Sequence, residues 1–114
     1  LVIMLLANAV NSAECVILLH GLAKTNQSMT KIAQNLYDEG YVTVNYDYPS
    51  RESSIQELAK DHINKALESC AEHTRIHFVT HSMGGILIRQ FLQDHALPSG
   101  SKVVMLSPPT RALS

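Results

Sequence analysis

The sequence predicts an α/β fold, a parallel sheet with helices packed on both faces. Three observations carry this. Short apolar runs rich in β-branched residues alternate with longer stretches of helical periodicity. Each strand-like run is separated from the next by such a stretch, the spacing of crossover connections rather than hairpins. The first run, "CVILLHG" at 15–21, is almost continuously apolar, as a strand buried on both faces must be.

Each element has its own signal. Gly21 closes the first strand. Asn26 is the expected N-cap of the first helix, where Met29, Ile32, Ala33, Leu36 and Tyr37 form one stripe. Gly40 stops that helix as the residue after its C-cap. "YVTVNYDY" (41–48) is the second strand, and Pro49 ends it. Ser54-x-x-Glu57 is a capping box opening the second helix. Its stripe is Ile55, Leu58, Ala59, His62, Ile63, Ala66, Leu67 and Cys70, so His62 is expected as a partly covered structural histidine facing the sheet. "RIHFV" (75–79) is the third strand and "GILIRQFLQDH" (85–95) the third helix. Pro98-Ser99-Gly100 is a turn, "KVVML" (102–106) the fourth strand, and Ser107-Pro108-Pro109 its stop. In such a sheet, ligands bind beyond the C-terminal ends of the strands, where strand order reverses.

Composition narrows the function classes. The chain has 114 residues, 46% hydrophobic and 17% charged, which suits one globular domain. Nine basic and ten acidic side chains give a net charge of −1, with no basic block, so nucleic acid is not an expected partner. No repeat or low-complexity stretch is visible. Cys15 and Cys70 form no C-x-x-C pair. His20, His62, His73, His77, His81 and His95 form no helical H-x-x-x-H pair, since 75–79 reads as a strand, and no metal is expected.

The N-terminus, "LVIMLLANAVNSAE", opens with an apolar run too short to span a bilayer and reaches the A-x-A-like Ala7-Asn8-Ala9. Residues 1–13 are therefore expected as a signal-peptide remnant or N-terminal extension, with the mature chain starting between Val10 and Glu14. An edge strand or buried apolar segment is the alternative. Residues 14–114 form the domain.

Two strand ends carry unusual chemistry: His20-Gly21-Leu22 after the first, and Thr80-His81-Ser82-Met83-Gly84 after the third. "GLAKTN" (21–26) is neither G-x-G-x-x-G nor a P-loop, which disfavours phosphate binding. The second turn matches G-x-S-x-G in all but its first position. That pattern is the nucleophile elbow, a sharp strand-to-helix turn that exposes its serine. Ser82 either caps the following helix or is held there to react. The helix N-terminus behind it offers free N–H groups and a positive dipole end, suited to a developing oxyanion.

Three stretches, "VILLHGLAKT", "VNYDYPSR" and "HFVTHSMGGILIRQFL" followed by "VVMLSPP", resemble the N-terminal half of an α/β-hydrolase, similar to small bacterial lipases and esterases. The resemblance covers residues 15 to about 109. It implies a three-layer, four-stranded parallel sheet in the order 2-1-3-4, a partial α/β-hydrolase fold with its first and third strands adjacent. It implies Ser82 as nucleophile and the backbone N–H groups of Leu22 and Met83 as the oxyanion hole. His20 and Gly21 would shape the loop presenting Leu22, and Gly84 and Gly85 would permit close approach of the helix. His81 occupies the variable position before the serine. It is a poor candidate for the base, because adjacent side chains on such a turn diverge and the family's base comes from a later loop.

This chain departs from the pattern at Thr80, which replaces the first glycine. It also stops at Ser114, before the family's acid and histidine are expected; Asp47, Asp94 and His95 are not placed like them. The expectation is thus a serine ester hydrolase scaffold, acting through an acyl-enzyme on a small-molecule or lipid ester, without a cofactor and with little turnover from this stretch alone. A catalytically inactive fragment binding an apolar ligand or a protein partner is the alternative. With the first and third strands adjacent, Cys15 and Cys70 fall at one corner of the sheet, opposite the site. A Cys15–Cys70 disulfide is expected if the protein is periplasmic or secreted, and two reduced thiols if it is cytoplasmic.

Overall fold

The computed structural model describes residues 14–72 and 75–106; the expected signal remnant, His73 and the Ser107-Pro108-Pro109 stop lie outside the described residues. Strand β1 (Glu14–Leu19) leads into a 3-10 turn (Asn26–Met29) and helix α1 (Thr30–Asp38). Strand β2 (Val42–Tyr46) is followed by α2 (Ile55–Leu58), a π-helical stretch (Ala59–Ile63) and α3 (Asn64–Glu68), which run on as one helical rod. Strand β3 (Arg75–His81), helix α4 (Met83–Leu92) and strand β4 (Val103–Leu106) complete the order. All three strand pairings are parallel and the sheet order is β2-β1-β3-β4.

Alternation along the strands sorts the core into two layers. Cys15, Ile17 and Leu19 of β1 join Ile76 and Phe78 of β3 beneath Leu58, Ile63, Ala66, Leu87 and Ile88. Val16 and Leu18 point the other way, onto Met29 and Ala33 at the start of the α1 side. A central strand buried on both faces has no polar side to alternate with, which is why β1 reads as an unbroken apolar run. Phe78 is fully buried, and truncating it to alanine would cost about 3–5 kcal/mol through lost burial and the cavity left behind.

The helix ends show how local chemistry fixes these boundaries. Ser54 Oγ accepts from Glu57 N–H at 3.2 Å while Glu57 Oε1 accepts from Ser54 N–H at 3.3 Å, the reciprocal capping box. At the end of α1, Gly40 takes φ 103°, and the N–H groups of Gly40 and Tyr41 bond back to Tyr37 and Leu36 carbonyls at 3.0 and 3.2 Å. That is a Schellman closure, and the glycine relieves the strain of its positive φ.

Two expectations are corrected. Asn26 is not the N-cap of α1. The Thr25 side chain caps the 3-10 turn by accepting from Gln27 N–H, and α1 proper begins at Thr30. Asn26 is drawn instead to the end of β2, where its side chain donates to Asn45 O at 3.0 Å and its N–H to Asp47 Oδ1 at 3.1 Å. Tyr37 lies outside the buried stripe, 64% exposed, beside β2, the edge strand of the sheet among the described residues. His62 sits as expected, half-buried, with the Tyr46 hydroxyl donating to its Nδ1 at 2.8 Å.

Candidate active site

Ser82 joins β3 to α4 in a backbone conformation of φ 50° and ψ −113°, one of two non-glycine residues with positive φ among the described residues. An L-residue held there costs about 1–3 kcal/mol, so the surrounding packing must impose it. The constraint is visible on both sides. Ser82 N–H donates to Leu106 O at 3.2 Å, and Ser82 O accepts from Gly85 N–H at 2.9 Å. Ser82 stands at the N-cap position of α4, yet its side chain makes no capping hydrogen bond. Its hydroxyl is therefore not spent on the helix.

The glycines behind it are sterically required. A Cβ on Gly84 would sit 2.5 Å from the Leu19 carbonyl oxygen, so the first turn of α4 lies directly on β1. A Cβ on Gly85 would lie 3.2 Å from Thr80 Oγ1 and 3.3 Å from Met105 Sδ. Thr80 is fully buried, and its Oγ1 has no hydrogen-bond partner among the described residues.

Pairing of Leu19 with Thr80 carries the end of β1 alongside the elbow. A Cβ on Gly21 would stand 3.6 Å from Ser82 Cβ and 3.0 Å from His81 Nδ1, so the His20-Gly21-Leu22 turn packs against the serine. The Leu22 side chain is 55% exposed at this rim, whereas Met83, first in α4, is nearly buried. Its N–H is one of the first-turn groups that have no intrahelical partner. His81 is half-buried against Gly21. Among the described residues, no histidine ring hydrogen-bonds to the Ser82 hydroxyl. His95 lies beyond the far end of α4, stacked on Phe91 with ring centroids 4.3 Å apart.

The loop carrying Leu22 is gripped by the segment leaving β2. His20 is fully buried, its ring stacked on Tyr48 at 4.2 Å between centroids. His20 Nδ1–H donates to the Gly21 carbonyl at 2.8 Å, while Nε2 lies 3.0 Å from Tyr48 O and 3.2 Å from Asp47 Oδ1. The Tyr48 hydroxyl donates to His20 O at 2.6 Å, and burial raises its pKa well above the ordinary phenol value. Ser50 Oγ accepts from Ala23 N–H at 2.9 Å. Sequence reasoning missed Asp47, Tyr48 and Ser50 as parts of the site. Their trace in the sequence was the stretch "VNYDYPSR", which carried the family resemblance without giving these residues a role, and its polar run directly after a strand's C-terminal end. They wall an open cleft of about 470 Å³ together with Ala23, Lys24 and Arg51. A smaller cavity, about 210 Å³ and lined by Val16, Val79 and Val104 among others, is at the N-terminal end of the sheet, away from Ser82.

Cys15 and Cys70 form a disulfide, with Cα atoms 5.9 Å apart, at that same distant end. No group of three or more His, Cys, Asp or Glu side chains suited to a metal occurs among the described residues, and no described helix is long and apolar enough to cross a membrane.

A model of the alpha/beta hydrolase family matches residues 16–114. No curated protein matches the sequence. Among solved structures, the chain is similar in fold to an extracellular alpha/beta-hydrolase from a Paenibacillus species, described as sharing structural and functional homology with tobacco Salicylic Acid Binding Protein 2. The TM-score is 0.66 at 17% identity, over 82% of this chain and 40% of that one, so this chain spans less than half of that structure's length.

Proposed function

Given that the chain belongs to the alpha/beta hydrolase family, we propose that it carries the nucleophile half of a serine ester hydrolase acting on a small-molecule or lipid ester. One observation carries the reading. Ser82 occupies a strained helix-capping position without using its hydroxyl to cap. A serine selected as a cap would keep ordinary backbone angles and bond to the second or third N–H of the helix. In the proposed reaction Ser82 Oγ attacks the acyl carbonyl and gives up its proton to a base. The oxyanion that forms faces the Leu22 and Met83 N–H groups and the positive end of α4. The alcohol then leaves with a proton, and water cleaves the acyl-serine to the acid and free enzyme. The disulfide, which persists in oxidising compartments, supports export of this chain to the periplasm or beyond.

The test is stoichiometric labelling. Folded protein treated with an alkyl fluorophosphonate or a p-nitrophenyl ester should gain one adduct, mapped to Ser82, faster than the same chain in urea. Steady-state release of p-nitrophenol should be slight, because no described histidine engages the hydroxyl. Ser82→Ala should take no adduct. Equal labelling of folded and unfolded chains would reject the proposal. It would favour a binding scaffold without turnover, for which the half-exposed Val104 over the smaller cavity supplies an apolar face.

A further inference from the structure

Three consecutive peptide units around Leu22 are each held by a side chain. The His20–Gly21 unit is fixed at its carbonyl by the Tyr48 hydroxyl at 2.6 Å. The Gly21–Leu22 unit, whose N–H is the proposed oxyanion donor, is fixed at its carbonyl by His20 Nδ1–H at 2.8 Å and by Lys24 N–H at 3.2 Å. The Leu22–Ala23 unit is fixed at its N–H by Ser50 Oγ at 2.9 Å. The Leu22 N–H takes part in none of these contacts. Because a peptide is planar and trans, clamping the Gly21 carbonyl aims the Leu22 N–H the opposite way. Donation into that carbonyl also polarises the unit and strengthens its N–H as a donor.

Tyr48 and Ser50 are nearly buried, and their grip spans 28 and 27 residues of sequence. Ala23 sits at φ 60°, so the loop would not rest in this shape on local preference alone. From this arrangement we propose that Tyr48 and Ser50 are positioning residues for the oxyanion hole. They set the Leu22 amide in place before a substrate arrives, by way of His20 and Ala23, so that no reorganisation accompanies charge development. The inference rests on the hydrolase reading for its purpose, but the clamp is measurable without it.

The variants are Tyr48→Phe, which keeps the ring stacked on His20 and deletes the hydroxyl, Ser50→Ala, and Ser50→Thr, which retains an Oγ. Two readouts are taken on the full chain: the fluorophosphonate labelling rate of Ser82, and the Leu22 amide resonance with its hydrogen-exchange rate. Tyr48→Phe and Ser50→Ala should each slow labelling about tenfold, as small misplacements in a preorganised site do. Both should shift the Leu22 amide and speed its exchange while amides of β1 and β3 keep their protection, and Ser50→Thr should restore both readouts. Unchanged Leu22 exchange and labelling in both deletions, or failure of Ser50→Thr to restore them, would overturn the proposal. If the wild-type serine is not labelled at all, the hydrolase reading falls, and the clamp is then decided by the Leu22 amide alone.

Discussion

At the scale of the residue, Ser82 combines a hydroxyl that makes no capping bond with a backbone state that serine disfavours. The strain gives an expected ordering of stabilities. Ser82→Ala and Ser82→Gly both delete the hydroxyl, but only glycine is at ease at φ 50°. Relief of about 1–3 kcal/mol, less about 0.5–1 for the freer unfolded chain, leaves Ser82→Gly about 1 kcal/mol more stable than Ser82→Ala. For a domain of this size that is a rise of roughly 4–8 °C in Tm. Equal melting temperatures would mean the turn is not strained. Ser82 and its glycines were legible in the sequence because the elbow is built from contiguous residues. The grip of Tyr48 and Ser50 on the neighbouring loop was not, because it depends on two strand ends lying side by side. No periodicity records that.

At the scale of the element, the strands and helical stripes were readable because burial imposes their periods. The π-helical stretch was not: Ala59, His62 and Ile63 fall on the stripe whether the turn is α or π. That stretch carries His62, whose pKa is lowered mainly by burial and further by Lys65, against a smaller opposing pull from Asp61. Across the sheet edge, Tyr46 is raised by burial and then by Glu68, so its hydroxyl remains a donor to the neutral ring. A histidine with a depressed folded pKa binds fewer protons in the native state than in the unfolded one. Its contribution is thus present above the unfolded value, about 6.5, and is lost as pH falls through the lowered folded value. The urea midpoint should therefore drop between pH 7 and pH 5. His62→Asn, which can accept from Tyr46 without titrating, should flatten that segment of the profile. An unaltered slope in the variant would place the pH sensitivity elsewhere.

At the scale of the whole molecule, no local signal in the sequence yields the strand order; it followed from resemblance to a family, and the parallel pairings reproduce it. The order puts β1 inside the sheet and brings Cys15 to Cys70 across 55 residues of chain. Closing a loop of that length is worth about 4 kcal/mol through the entropy removed from the unfolded state. That is a large share of the roughly 5–15 kcal/mol a small domain holds in total. Reduction, or the Cys15→Ala/Cys70→Ala pair, should accordingly move the urea midpoint sharply down. A shift equivalent to under about 1 kcal/mol would show that the unfolded chain is already confined in this region.

The same strand that starts near the cross-link ends at the proposed oxyanion loop. Cys15 and Gly21 are six residue steps apart along β1 and its exit. At about 3.3 Å per step, that is roughly 20 Å. Cys15 is fully buried, so salt does little to screen a charge placed there. At roughly 20 Å and an effective dielectric of about 20, a unit charge at that end would act on Ser82 by only about 0.8 kcal/mol. A larger effect of opening the cross-link on the serine would have to arrive as mechanical tension, through a strand hydrogen-bonded on both sides. The two ends of β1 thus offer one handle on force and another on field, with little cross-talk between them.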